Sequence, residues 1–399
     1  MKIIVLFLVM LMLSACGKTE SEHAQTALAE LTIAPETLAE YRIVYPEEDR
    51  NAKLLAHWLA NEIVEESERV LQVVSDAKEI EGKEILVGTT NRSIGTDALQ
   101  EPKTGNYVID ADETYICVRG QDAVGDYYAV KALMDTLLPG EKDAPITIVP
   151  GTQQIPESDT LAAMTFNIFS GDMSEQRSMS VIQTILNHLP DTIGVQEATE
   201  EWMSILEENL GGLYDYVGIG RDGEEGGEYS AVLYRKDRFQ LQESGTKWLS
   251  DTPDVVSRYE ASKYNRIFTY AVLAENTTDT QLLVINTHLD HMGSREEQAE
   301  VLIDFIEDYS EYPVILTGDF NAEKGGAVYR MITKQLQDSA EIAKEVPALF
   351  GQTFKDKIID FVFVSEQNFE ILKYDVIYAM ENDMIPSDHR PVVVEYKLK

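Results

Sequence analysis

A series of phrases in the C-terminal part of the chain ends or opens an apolar run on a side chain that can hold a cation or move a proton. Asn167 closes Thr165-Phe166-Asn167-Ile168, Glu197 closes Val195-Gln196-Glu197, and Glu228 opens Glu228-Tyr229-Ser230-Ala231-Val232. His288 and Asp290 end Asn286-Thr287-His288-Leu289-Asp290, and Asp319 and Asn321 end Gly318-Asp319-Phe320-Asn321. Asp360 lies in Ile359-Asp360-Phe361, and Asp388 and His389 in Ser387-Asp388-His389-Arg390-Pro391. Oxygens of Asn, Glu and Asp suit a hard divalent ion that keeps some of its waters, Mg²⁺ with Mn²⁺ as substitute, rather than zinc. His288, His291 and His389 fall inside these phrases and offer proton transfer near neutral pH. His23, His57 and His188 fall on surface or helical stretches. Any one phrase has a plainer reading, because a strand-end Asp or Asn commonly caps the next turn. Together they argue for convergence at one sheet rim.

The elements needed to place these residues are legible around them. Apolar runs at 164–168, 192–195, 231–234, 267–273, 282–286, 314–316, 359–364 and 392–396 read as strands. Helical patterns fall at 178–189, 200–210 and 296–309. This makes residues 160–399 one large mixed α/β domain. A smaller α+β domain precedes it at 38–150. It has strand-like Tyr41 to Tyr45, a helix with Leu55, Leu59 and Ile63 at spacing four, and a second helix over about 123–138. Pro150, Gly151 and Pro156 mark a linker at 151–159, and polar residues 17–37 read as a tether.

Composition bounds the rest. The 399 residues are 44% hydrophobic and 26% charged, which is ordinary for a folded chain of two or three domains. Lys2 and the apolar run to Leu13 form a secretory signal over 1–16, too short to span a bilayer. The net charge of −37 repels polyanions, and residues 160–399 alone hold 20 basic against 42 acidic side chains. Both figures argue against a long nucleic-acid substrate. Cys117, in Tyr115-Ile116-Cys117-Val118, reads as a buried strand residue, and no disulfide is expected.

Three resemblances add to this reading. Leu13-Ser14-Ala15-Cys16 resembles the lipobox of bacterial lipoproteins, which implies a lipid on Cys16, a membrane anchor and an extracytoplasmic location. The segment 38–150 resembles the non-catalytic domain that precedes the barrel in β-hexosaminidases and α-glucuronidases. Glu84-Ile85-Leu86-Val87-Gly88-Thr89-Thr90-Asn91-Arg92 and Tyr127-Tyr128-Ala129-Val130-Lys131 carry that likeness. Residues 160–399 resemble the endonuclease/exonuclease/phosphatase family, the deoxyribonuclease-I-like hydrolases. The carriers are Gly318-Asp319-Phe320-Asn321, Thr287-His288-Leu289-Asp290 and Ser387-Asp388-His389 in that family's order.

The last resemblance implies a four-layer α/β/β/α sandwich and metal-dependent hydrolysis of phosphate esters. It implies that Glu197 and Asn167 hold the metal with Asp388 nearby, and that Asp360 orients His389 as a base. Asp319 and Asn321 would position water and a phosphoryl oxygen, and His288, steadied by Glu228, would hydrogen-bond the phosphate. Arg266 and Arg295 are candidate phosphate contacts, Asp290 and His291 candidate supports, and Asp172, Glu224 and Glu225 read as turn or solvated residues. The expectation is a membrane-tethered phosphodiesterase or phosphatase acting on a small or lipid-linked phosphate ester. A nuclease, a sphingomyelinase-like enzyme and a non-catalytic binding lipoprotein are the rivals.

Overall fold

The computed structural model describes residues 30–92, 101–138, 144–223, 226–347, 351–378 and 384–399. The signal, Cys16, His23, most of the tether, Glu224 and Glu225 lie outside them. Among the described residues no helix is long and apolar enough to cross a membrane.

The N-terminal unit runs β1 (Leu31–Ile33), β2 (Tyr41–Tyr45), α1 (Arg50–Ser67), β3 (Val73–Ser75), β4 (Lys83–Val87), β5 (Asn106–Ala111), β6 (Tyr115–Gly120), α2 (Ala123–Leu137), β7 (Ile146–Ile148) and β8 (Gly151–Gln154). Both helices start on an aspartate cap, Asp49 accepting from the Ala52 N–H and Asp122 from the Gly125 N–H, each at 2.9 Å. Leu55, Leu59 and Ile63 form the buried stripe of α1 that their spacing requires. Cys117 is buried in β6, and burial pushes its thiol up to about 12, so it is an inert core residue. Two boundaries differ from the sequence reading. Residues 31–33, assigned to the tether, pair as β1 with β7. The first four linker residues form β8, which pairs with β5. Their polar side chains look like linker, but β8 is an edge strand that meets the backbone hydrogen bonds of β5 and leaves its side chains to solvent.

The second unit contains β9 (Leu161–Asn167), α3 (Glu175–His188), β10 (Thr192–Gln196), α4 (Glu200–Leu210), β11 (Tyr214–Val217), β12 (Val232–Arg235), β13 (Phe239–Trp248), β14 (Ile267–Glu275) and β15 (Gln281–His288). It continues with α5 (Arg295–Asp308), β16 (Val314–Asp319), α6 (Ala327–Ile332), β17 (Gln337–Asp338), α7 (Ser339–Ile342), β18 (Asp360–Val364), β19 (Phe369–Val376) and β20 (Val392–Leu398). Two six-stranded sheets result, ordered β11-β12-β10-β9-β20-β19 and β13-β14-β15-β16-β18-β17. Alternate residues of one strand serve different layers. In β15, Leu282 and Val284 face the other sheet, while Leu283 and Ile285 pack under α5 with Ala299 and Leu302. Burial on both faces explains the near-continuous apolar runs of the central strands. The expected sandwich, helices outside two packed sheets, is the observed one.

A polar knot crosses the inter-sheet core one turn of the pleat below the rim. Fully buried Asn286 donates to the carbonyls of Val195 (2.8 Å) and Ala231 (2.9 Å) on the opposite sheet. It accepts from Gln196 Nε2 (2.6 Å) and Thr317 Oγ1 (3.2 Å). Gly194 makes room for it, since a Cβ there would stand 2.2 Å from Thr317 Oγ1. The knot fixes the register of the sheets that carry the two halves of the site. Finally, α1 and α2 lie against the α3/α4 layer. Trp58 Nε1 donates to Asn187 Oδ1 (2.7 Å), the Tyr127 hydroxyl donates to the Leu186 carbonyl (2.9 Å), and both units share one apolar cluster.

Candidate active site

Strands β9 and β10 are parallel, as are β15 and β16, so Asn167, Glu197, His288 and Asp319 emerge together at their C-terminal ends. Strands β18 and β20 run against these neighbours, so their starts reach the same rim and bring Asp360 and Ser387 to His389. Opposed strand direction thus gathers residues that lie far apart in sequence. Glu197 and Asn321 leave their strands with φ of +61° and +47°, the left-handed region that ordinary residues occupy at a cost of about 1–3 kcal/mol. That cost turns both side chains inward.

Asn167 bridges the sheets, its Nδ2 donating to Glu197 Oε1 (3.0 Å) and Asp319 Oδ2 (3.1 Å). Its own oxygen accepts the Phe169 N–H at 3.0 Å. Asn167, expected as a metal ligand, therefore presents its amide hydrogens to the site and acts as a clamp between two carboxylates. The second oxygen of Glu197 accepts from the backbone and hydroxyl of Ser170, both at 3.2 Å. Asp319 is buried, accepts the Asn321 N–H (2.9 Å), and lies 3.4 Å from His288 Nε2 and 3.8 Å from His389 Nε2. Burial and the neighbouring Asp360 charge push its carboxyl up to about 7.

His389 Nδ1 contacts both oxygens of Asp360, at 3.1 and 3.0 Å, and its ring stacks on Phe354 at 4.4 Å between centroids. Burial opposes the imidazolium, but the Asp360 carboxylate prevails and pushes His389 up to about 9. His288 is the counterpart. Burial, then the charges of Arg266 and His389, hold it well below the usual histidine range. Asn321 Nδ2 donates to its Nε2 at 3.1 Å, as a neutral ring requires.

Other expected residues fall differently. Glu228 pairs with Arg221 at 2.5 Å rather than steadying His288, because a buried guanidinium draws the nearest carboxylate. Asp388 is exposed and makes no hydrogen bond among the described residues; its charge reaches the site through space, at His389. Asp290 shapes a turn by accepting the Met292 N–H, and Arg295 donates to the Asn321 carbonyl. Arg177, which no motif marks, donates to the carbonyls of Ile168, Phe169 and Gly171, and also to that of Pro386. It ties the loop after β9 to the loop before His389, as does Ser387 Oγ, which donates to the Asn167 carbonyl at 2.6 Å.

The donor set fits a divalent cation. Asp319, Asp360 and His389 offer ligand atoms within 4.8 Å of one another, and a cation there would favour the carboxylate form of Asp319 that burial and Asp360 oppose. His389 is committed to Asp360 through Nδ1, which leaves Asp319 and Glu197 as the oxygen donors a hard ion prefers.

Comparison with known proteins bears on the family and the fold. A model of the endonuclease/exonuclease/phosphatase family matches residues 164–389. The structure of a family protein from Bacteroides thetaiotaomicron is 32% identical with a TM-score of 0.55, covering 60% of this chain and 98% of that one. A mannosyl-6-phosphatase from the same organism is also 32% identical at TM-score 0.55, covering 59% and 99%. The Ccr4 exoribonuclease subunit of Vairimorpha ceranae is 24% identical over 216 residues, 42% of this chain and 45% of its own length. The chain thus spans less than half the length of that curated relative. With the family model covering more than half of the chain, and two solved structures at 32% identity matched almost end to end, the chain belongs to the endonuclease/exonuclease/phosphatase family.

Proposed function

We propose that the protein is a divalent-metal-dependent phosphoesterase whose substrate is a small phosphate ester, with sugar phosphate monoesters foremost. The observation that carries this is the Asp360–His389 pair at 3.0 Å, facing Asp319 and His288 across a closed polar rim. The mannosyl-6-phosphatase of B. thetaiotaomicron supports the monoester, and the acid excess of residues 160–399 disfavours a polyanion.

Asp319 and Glu197 would hold the cation, Mg²⁺ or Mn²⁺, which when bound neutralises the phosphoryl oxygens and the leaving oxygen. Asp360 fixes the His389 tautomer, so that Nε2 faces the site and takes a proton from the attacking water. With a cation held by Asp319, His389 would be less readily protonated and so better able to act as a base. Asn321 and His288, joined by their hydrogen bond, align a phosphoryl oxygen on the opposite side. Arg177 and Ser387 hold the loops in place without touching the reacting atoms.

The same proposal places the enzyme outside the cytoplasm on a lipid attached to Cys16, on the strength of Leu13-Ser14-Ala15-Cys16. Cys16→Ser should then move the protein out of the membrane fraction or leave it unprocessed; unchanged partitioning with normal processing refutes the anchor. For the activity, the test is a panel of sugar phosphates, phosphodiesters, phospholipid, RNA and plasmid DNA, with Mg²⁺ and with EDTA. Hydrolysis of a small monoester that EDTA abolishes is expected. Efficient plasmid nicking at nanomolar enzyme, or full turnover in excess EDTA, overturns the proposal.

A further inference from the structure

Against the acidic background of this unit, cations collect around one ring beside His288. Tyr264 has the Arg221 Cζ 4.4 Å, the Lys263 Nζ 4.7 Å and the Arg266 Cζ 5.8 Å from its centroid, with the His291 ring 6.1 Å away. Arg221 and Arg266 are buried, and the Nε of each has no hydrogen-bond partner. Glu228 compensates Arg221. Arg266 reaches His291 Nδ1 at 3.4 Å, and among the described residues neither Arg266 nor Lys263 forms an ion pair. Glu228, Asp290 and Asp319 act on Arg266 through space, without a direct ion pair. Asp222 accepts from Asn265 Nδ2 (2.8 Å), and Asp290 accepts the Met292 N–H (2.7 Å).

The corner is continuous with the site. Arg221, Arg266, Glu228 and His288 line one small pocket, and Arg221 and Glu228 also border an open depression of about 600 Å³ that reaches Ser170, the partner of Glu197. A buried guanidinium with no direct ion pair carries a desolvation cost that carboxylates acting through space offset only in part, and an incoming anion reduces it further. Its planar fork matches the oxygens of a phosphate or a carboxylate. An ammonium on the rim adds a second charge from the solvent side.

We propose that Arg266, Lys263 and Arg221 around Tyr264 form a subsite for a second anionic group of the substrate, a phosphate or carboxylate on the same small molecule as the scissile ester. This rests on the phosphoesterase reading, and it predicts that doubly anionic substrates are preferred. Steady-state kinetics of the full chain with glucose 6-phosphate, glucose 1,6-bisphosphate and 6-phosphogluconate test it and separate phosphate from carboxylate. At least one of the last two should show a KM about tenfold below that of glucose 6-phosphate, the worth of one charge-assisted contact. Arg266→Gln and Lys263→Gln should each remove most of that advantage. Lys344→Gln, at a surface lysine paired with Glu370, should leave it intact. Lys263 is exposed, so its variant reports even where the Arg266 variant fails to fold.

Calorimetric titration of the metal-free chain with inorganic phosphate supplies a readout independent of turnover. Saturable binding, weakened about tenfold by Lys263→Gln, is expected. Binding lost in the variant together with no hydrolysis of any phosphate ester supports the subsite and removes the phosphoesterase reading. Equal KM values for the three substrates, or an advantage that survives both variants, overturns the subsite and leaves that reading standing.

Discussion

Asp126→Asn should stabilise the protein, and by more as the pH rises. Asp126 is buried in the first turn of α2, where the helix lies so close to the end of β6 that a Cβ on Gly120 would stand 2.2 Å from the Gly125 carbonyl carbon. Its Oδ1 accepts the Gly120 N–H at 2.7 Å. Burial, only partly offset by that hydrogen bond and reinforced by the charges of Asp49 and Asp122, raises its pKa from 3.8 to about 7. The folded state therefore holds the proton more tightly than the unfolded state. The contribution of this group is complete below the unfolded value, and it is lost as the pH climbs through about 7. At about 1.4 kcal/mol per tenfold, the loss is about 2 kcal/mol near pH 5 and about 4 kcal/mol near pH 8. An amide oxygen keeps the bond to Gly120 and carries no charge, so the variant recovers up to those amounts. Urea unfolding of variant and wild type at the two pH values, followed by circular dichroism, isolates this group, since every other carboxylate cancels in the difference. An equal difference at both pH values, or a variant less stable near pH 8, would refute the reasoning.

Three further outcomes are expected. His389→Asn and Asp360→Asn should each lower turnover by about 10²–10⁴ with the circular dichroism spectrum unchanged, and near wild-type rates would place the base elsewhere. Glu197→Gln should raise the Mg²⁺ concentration for half-maximal activity by about tenfold or more, read from a metal titration, whereas an unaltered titration removes Glu197 from the cation site. Asn286→Leu removes the side-chain donor to the Val195 and Ala231 carbonyls, the second of which keeps the Val195 N–H, and should cost about 1–3 kcal/mol in urea unfolding. A loss below about 1 kcal/mol would show that the inter-sheet knot is dispensable.

What the sequence makes legible is the set of strand-end residues, because an apolar strand buried on both faces stops where its side chains meet water. Asn167, Glu197, His288, Asp319, Asp360 and His389 all stand at such stops. What it conceals is pairing. Glu228 and Arg221 are both visible, but which carboxylate a buried guanidinium takes depends on how two loops meet. Arg177 lies on a helix without a motif, and its carbonyl partners belong to loops that come together only in three dimensions. The amide orientation of Asn167, set by the Phe169 N–H, is equally invisible. Strand β13 escapes the apolar pattern because it is an edge strand with exposed side chains over most of its length. Strand β19 escapes it because the register shifts between Ile371 and Lys373, which breaks the alternation.

The contact between the two units has a consequence for how their sequences can change. Gly212 lies so close to the small domain that a Cβ there would stand 3.0 Å from that of Ala123. The Trp58 indole donates across the contact to Asn187, and the Tyr127 hydroxyl donates to the Leu186 carbonyl. Neither unit can drift alone at these positions. Enlarging residue 212 demands a retreat at 123, and losing Asn187 removes the hydrogen bond that joins Trp58 to the second unit. In descendants of this chain the two units should be inherited as a pair, with positions 58 and 187, and 123 and 212, changing in concert.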